Sequence, residues 1–229
     1  MSAGALSDAK IVESWRTNAG AWTAAVRERR IESRELVTDR AILDAVLGRA
    51  PHALLDIGCG EGWLGRALAG RGIHVLGIDA VPDLIARANA AGGGEFRIAC
   101  YEQLAAGVPD FTADVALCNF SLLGRESVDM LFAAIPALLR PHGVFIIQSL
   151  HPVLACGERP YQDGWREGSW AGFSADFTDP APWYFRTLAS WLGLFRTHGL
   201  RLLELREPID PRTQKPASVI FIADVMGPS

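Results

Sequence analysis

The stretch Ala53-Leu-Leu-Asp-Ile-Gly-Cys-Gly-Glu-Gly62 decides the architecture. Its first five residues, bounded by Pro51 and Gly58, form a short apolar run that reads as a buried strand. Gly58, Gly60 and Gly62 then let the chain turn sharply and let a ligand approach without meeting a Cβ. Residues 62–70 follow as a helix with Leu64 and Leu68 inward. Working outward, residues 73–78 form a second strand, and Pro82 opens a second helix at the first-turn position, where its missing N–H costs nothing. Gly92-Gly93-Gly94 ends that helix. Further strands are predicted at 95–99, 114–118 and 144–149. Between the last two, Val128, Leu131, Phe132, Ile135, Leu138 and Leu139 make a helical stripe in which Pro136 should place a kink. Strands alternating with helices predict βαβ units in a doubly wound, Rossmann-like α/β fold covered on both faces.

The flanks complete that frame. Ile11, Trp15, Trp22 and Val26 are spaced as one helical face, and Leu36, Ile42, Leu43, Val46 and Leu47 continue it in a second helix. Between them Arg27, Arg29, Arg30 and Arg34 alternate with Glu28, Glu32 and Glu35, the pattern of a solvated, salt-bridged face. Residues 152–182 are rich in Pro, Gly and aromatics without a period, and read as an insertion. Phe185, Leu188, Leu192 and Phe195 mark a helix that stops at Gly199, followed by strands at 200–205 and 219–225. The intervening Glu207-Pro-Ile-Asp-Pro211 is too short for a crossover helix, so these strands are expected to be antiparallel neighbours. The expectation is one domain over 1–229, with a mostly parallel seven-stranded sheet whose last strand is antiparallel. A helical cap over 1–50 precedes it, and the 152–182 insertion follows the fifth strand.

The composition narrows the function. With 49% hydrophobic and 21% charged residues over 229 positions, the chain suits a soluble globular fold with a substantial core. A net charge of −4 disfavours a general nucleic-acid or anionic-membrane surface. Cys59, Cys100, Cys118 and Cys156 lie far apart, which argues against zinc or a disulfide framework and fits a reducing cytoplasm. No signal-peptide pattern and no run of 18 apolar residues is present, so no membrane span is expected.

In open α/β sheets ligands sit beyond the carboxyl ends of the strands. Asp79 lies 23 residues beyond Asp56, at the end of the second strand, where a carboxylate can accept two hydrogen bonds from a ribose diol. Several adenosine cofactors make that demand. Gly60-Glu-Gly62-Trp-Leu-Gly65 matches the dinucleotide fingerprint GxGxxG, which keeps a nicotinamide-dependent oxidoreductase as an alternative. The strand, however, finishes at Ile57, two residues too early for that register. Shifting it onward would leave Asp56 inside a strand, where an unpaired carboxylate is costly. Read without a ligand, Asp56 steadies the glycine loop and Asp79 caps the helix before Pro82.

The segments Leu55-Asp-Ile-Gly-Cys-Gly-Glu-Gly62, Gly77-Ile-Asp79, Asp114-Val-Ala-Leu-Cys-Asn119 and Leu139-Arg-Pro-His-Gly143 resemble those of class I S-adenosylmethionine-dependent methyltransferases. The resemblance is close over residues 50–150, and the order of strands and helices extends it over nearly all the rest. It implies S-adenosyl-L-methionine as cofactor and S-adenosyl-L-homocysteine as product. It also implies that Asp56 and the backbone at Gly58, Cys59 and Gly60 face the amino-acid part, while Asp79 and Ala80 hold the ribose. Acidic residues beside a strand end suit a sulfonium and an ammonium better than a pyrophosphate. The chain departs from the family after the third strand, where Cys100-Tyr101-Glu102 lacks the usual acid; adenine recognition is assigned to Tyr101 or Glu102. Asn119 and Phe120 would present backbone and a flat side chain to the cofactor. Trp15, Asn18, Trp22 and Arg34 are candidates for covering it or pairing with its carboxylate.

On the acceptor side, His151 follows the fifth strand and is the candidate general base; the other reading is a loop histidine bonded to backbone. Tyr161, Trp165, Trp170, Phe173, Phe177, Trp183 and Tyr184 would line or lid an acceptor pocket, with Arg159, Arg166 or Arg186 available for an anionic group. A self-packed flap is the competing reading. No ligand cluster for a metal is seen. The Asp/Asn-Pro-Pro-aromatic signature of amino-directed methylation is absent, since the fourth strand runs into Asn119-Phe-Ser-Leu122. A small-molecule acceptor methylated at oxygen is therefore expected, with no nucleic-acid or membrane partner. A catalytically silent S-adenosylmethionine-binding module is a third possibility.

Overall fold

The structure is a computed structural model that describes residues 6–107 and 111–226. The extreme ends of the expected domain, including residues 1–5 of the cap, lie outside the described residues. Strands β1 (Ala53–Ile57), β2 (His74–Asp79), β3 (Glu95–Ile98), β4 (Ala113–Asn119) and β5 (Leu139–Ser149) are parallel. A short ribbon, β6 (Gly164–Arg166) with β7 (Trp183–Phe185), stands apart from them. Strand β9 (Val219–Val225) enters antiparallel between β5 and β8 (Leu200–Arg206), giving the order β3-β2-β1-β4-β5-β9-β8. From β1 the chain winds outward to β2 and β3, then returns to β4 on the other side. The crevice where that order reverses lies at the carboxyl ends of β1 and β4, which is where such sheets bind ligands.

Both faces of the sheet are covered, so β1 and β4 are apolar almost throughout. On one face, α6 (Glu126–Leu138) and α8 (Leu188–Thr197) contribute Phe132, Ile135, Trp191 and Phe195. On the other, α2 (Asp39–Leu47) and α3 (Trp63–Ala69) contribute Ile42, Val46, Leu64 and Leu68. Helix α1 (Asp8–Arg27) packs Ala19 against Val81 and Leu84 of α4 (Pro82–Ala91) and its N-cap, with Trp15 and Trp22 alongside. Pro136 falls near the end of α6, which stops two residues after it.

Three features differ from the sequence reading. The short helix α5 (Tyr101–Ala105) forms directly after β3. The insertion folds into α7 (Pro152–Ala155) and the β6–β7 ribbon, whose three-residue strands are too short to show a period of two. The basic run is only partly a solvated face. Arg29–Glu35 and Arg30–Glu28 are surface pairs, but Arg27 reaches the fully buried Glu61, and Arg34 is itself buried against Asp39. Glu61 lies 34 residues from Arg27, where no local charge pattern points to it, while Arg34 is held by Asp39, five residues on and beyond the alternating run.

Candidate active site

The chain leaves β1 at Ile57 and bends at once. The amides of Gly58 and Cys59 both donate to the Ile78 carbonyl, at 2.8 and 2.9 Å, tying the bend to β2. Gly58 has φ +76°, and a Cβ there would lie 2.3 Å from Cβ of Ser121, so only glycine fits. Gly60, at φ +58°, donates its amide to Asp79 Oδ2 at 2.9 Å, while Asp79 Oδ1 accepts from Val81 N–H at 2.9 Å. Burial pushes the Asp79 pKa up against these stabilising amides.

Asp56 sits one residue before the end of β1 and is only 2% exposed. It stands behind the bend and off the cavity wall, which corrects the expectation that its carboxylate faces the ligand directly. The cost foreseen for a carboxylate inside a strand is present here: Oδ2 has no hydrogen-bond partner among the described residues. Burial first, and then the charge of Asp79, pushes the Asp56 pKa up to about 7. A cation seated at the bend would relieve that destabilisation through the short distance and low dielectric. Glu61, which the sequence reading passed over, is fully buried between Arg66 (2.7 Å) and Arg27 (2.8 Å) and so clamps the bend to α3 and α1.

The bend opens onto a cavity of about 560 Å³ along the carboxyl ends of β1, β2, β4 and β5. Gly58, Cys59, Gly60, Asp79 and Ala80 line one end, joined by Tyr101, Glu102, Asn119, Phe120, Trp22 and Arg34. The structure thus gathers every predicted cofactor residue except Asp56 on this one wall. Tyr101 donates its hydroxyl to the Ser121 carbonyl at 3.0 Å, and Ser121 donates to the Ile57 carbonyl at 2.7 Å, locking the bend to the loop after β4. Ser121 was missed because its role depends on a strand neighbour 64 residues away. Cys100 starts α5, its amide donating to Gln103 Oε1 at 2.9 Å. Asn119 Oδ1 is buried without a described partner, and Phe120 adopts a left-handed φ of +54°. Strain and an orphan acceptor at one strand end mark a place built for a ligand. The Arg34 guanidinium lies over the Trp63 ring at 4.5 Å and bonds Asp39 at 2.9 Å, so its charge is already balanced.

The far end is apolar and aromatic. Phe173, Trp183, Tyr184, Phe185 and Trp191 line it, with Leu123 and Leu150. The other predicted aromatics are off the wall. Trp170 instead packs on Phe177 at 4.7 Å and on Trp15 at 5.8 Å, and Tyr161 and Trp165 pack against Phe185 and Tyr184. Asn18 of α1 donates to the Thr178 carbonyl at 2.7 Å and accepts from its amide at 2.9 Å, fixing the inserted segment over the cavity. Of the three candidate arginines, Arg159 is exposed and off the wall. Arg166 is spent on the carbonyls of Cys156 and Pro160 under the Phe185 ring, and only Arg186 lines the cavity. His151 is not brought in. The wall passes from Leu150 to Pro152, and the His151 ring turns away to meet Glu207 at 2.7 Å, corrected by a partner 56 residues on. Among the described residues no three of His, Cys, Asp and Glu converge as a metal site, and no helix is long and apolar enough to cross a membrane.

A family model described as a methyltransferase domain matches residues 55–147, the segment that carries the bend, Asp79 and Asn119. Residues 55–147 are a class I S-adenosylmethionine-dependent methyltransferase domain. Ubiquinone biosynthesis O-methyltransferase of Xylella fastidiosa is 36% identical over 107 residues, which cover 44% of this chain and 43% of that protein. The Aeromonas salmonicida protein of the same name is 35% identical over 115 residues, 48% of each chain. The chain therefore spans under half the length of these relatives. Solved structures extend the fold beyond the matched segment. The methyltransferase from Mesorhizobium loti superposes with a TM-score of 0.61 at 23% identity, covering 78% of this chain and 95% of the other. The Burkholderia thailandensis 1,6-didemethyltoxoflavin-N1-methyltransferase, solved with bound 1,6-didemethyltoxoflavin and S-adenosylhomocysteine, gives 0.64 at 20% identity, covering 96% of this chain and 87% of the other. Methyltransferases of this class share the seven-stranded sheet with its one antiparallel strand. The nicotinamide reading falls with this result, and β1 ends at Ile57, so the GxGxxG match starts at Gly60 after Gly58 and Cys59 have already made the bend.

Proposed function

We propose that the chain is an enzyme transferring a methyl group from S-adenosylmethionine to a small-molecule acceptor, at oxygen. The single observation that carries this reading is the glycine bend flanked by two acids, Asp79 half-buried at its mouth and Asp56 buried behind it. Asp79 presents carboxylate oxygens at the cavity wall, and Asp56 holds a charge behind the bend with no protein cation to meet it. Those features fit the donor: Gly58 leaves room that a Cβ would fill, and Asn119 Oδ1 offers an unused acceptor. When bound, S-adenosylmethionine supplies an activated methyl group on sulfur and leaves as S-adenosylhomocysteine.

In this reading Asp79 and Ala80 hold the ribose, the glycine bend at Gly58, Cys59 and Gly60 faces the amino-acid end, and Tyr101 and Glu102 flank the adenine. Trp22 and Arg34 close the cavity from the cap. The inserted segment, held down by Asn18, excludes water from the aromatic end and aligns the acceptor. The whole chain then acts as one domain with cap and lid, in the cytoplasm and without nucleic acid. Transfer to oxygen draws its support from the names of the curated relatives. The test is a tritiated-methyl assay of the purified chain against a small-molecule cell extract. Label should pass into an organic-extractable product that gives it up as methanol in alkali (a methyl ester) or as methyl iodide in hot hydriodic acid (a methyl ether); label retained on nitrogen through both treatments would overturn the oxygen assignment. Donor binding with no transfer to any fraction would favour a silent binding module.

A further inference from the structure

Arg186 stands out among the charged groups of the aromatic end. It is 6% exposed, lies on the cavity wall, and is stacked between the rings of Tyr184 at 4.9 Å and Trp191 at 5.3 Å. Its guanidinium donates to the carbonyls of Gly124 at 2.8 Å and Arg125 at 3.0 Å, which uses two of five N–H groups and neutralises none of the charge. No carboxylate among the described residues pairs with it. Asp163, Asp8 and Asp129 act on it only through space, and Asp8 has both oxygens occupied by the amides of Arg125 and Ser127. A buried cation without a hydrogen-bonded counter-ion is costly, and apart from Asp8 and Ser127 the neighbouring wall is aromatic and aliphatic.

We propose that Arg186 is the counter-ion of an anionic oxygen on the acceptor, so that the acceptor is a flat aromatic acid carrying a carboxylate or an ionised hydroxyl. This rests on the methyltransferase reading above. It also accounts for the lack of a histidine on this part of the wall, because an acceptor held as its anion needs no protein base. The guanidinium's two carbonyl bonds fix it against the loop after β4, so that the charge is pre-positioned and its remaining donors stay free for the ligand.

The test is calorimetry on the full chain saturated with S-adenosylhomocysteine. The probes are naphthoate and nitrophenolate, each compared with its neutral methyl derivative, methyl naphthoate or nitroanisole. The wild type should bind at least one acid about tenfold or more tighter than its neutral partner, and which acid is preferred separates carboxylate from hydroxyl. Arg186→Gln should erase that preference by weakening the acid roughly tenfold to a hundredfold, with the neutral probe nearly unaffected. Arg186→Lys should restore part of it, since charge remains without the planar fork. Equal binding of acids and neutral derivatives by the wild type, or no acid binding at all, overturns the proposal even if neither variant folds. Equal weakening of both probe types by Arg186→Gln also overturns it, because that is what a mere clamp on the Gly124–Arg125 backbone would give. Failure of the wild type to bind S-adenosylhomocysteine would sink the methyltransferase reading instead.

Discussion

The two ends of the cavity are built by opposite means. The end proposed for the donor comes from consecutive residues at strand ends, Asp56 to Gly60 and Asp79 to Val81, fixed by backbone amides within the sheet. The acceptor end is assembled from α1, the loop after β4, the inserted segment and α8, which meet only in the folded chain. One end has Asp79 on its wall and Asp56 buried behind it, and the other holds the buried Arg186 among aromatic rings. Local geometry thus builds the end proposed for the donor, while long-range packing builds the end proposed for the acceptor.

Substitutions should separate the two ends. The largest effect is expected for Gly58→Ala, which puts a Cβ against Ser121 at a left-handed φ and should weaken S-adenosylhomocysteine more than about a hundredfold by calorimetry. Unchanged binding would mean that the bend is not the cradle. Asp79→Ala should weaken the same ligand roughly tenfold to a hundredfold, the worth of hydrogen bonds to a desolvated carboxylate; a loss confined to acceptor binding would reverse the assignment of the two ends.

Asp56→Asn should move stability and binding in opposite directions. In the folded chain Asp56 titrates at about 7 against an ordinary 3.8, so the folded state holds an extra proton between those values. The group's contribution to stability is complete at low pH and is lost as pH rises through about 7. The ligand-free wild type should therefore melt at falling temperature from about pH 5 to pH 8, and Asp56→Asn should flatten that slope while weakening the sulfonium donor. A slope unchanged in the variant would remove Asp56 from the account.

At the acceptor end, Asn18→Ala removes both bonds to Thr178 and should cost about 1–3 kcal/mol in thermal unfolding. It should speed proteolysis within 160–180 and leave S-adenosylhomocysteine affinity within about threefold. An equal loss of donor affinity would show that the two ends are one cooperative unit. The smallest effect is expected for His151→Gln: with the ring facing Glu207 off the wall, turnover should stay within about threefold, and a large loss would return it to the mechanism.

Legibility in the sequence follows the same division. The succession of strands and helices along the chain, the antiparallel last strand and the place of the bend were readable, because hydrophobic runs and glycines encode them within a few residues. Asp79 was readable for the same reason. Asp56 was located but not its setting, since no local signal tells a buried carboxylate behind a wall from one on it. Glu61, Ser121 and the choice of Arg186 over Arg159 and Arg166 depend on partners between 34 and 64 residues away. His151 misled because its position after β5 suggests a cavity residue, while Glu207 sets its direction.

The most direct test of the cradle is to titrate the wild-type chain with S-adenosylhomocysteine and, separately, with a reduced nicotinamide dinucleotide in the calorimeter. The account predicts saturable one-site heat for the first, abolished by Gly58→Ala, and none for the second. Silence with S-adenosylhomocysteine and saturation with the dinucleotide would contradict it.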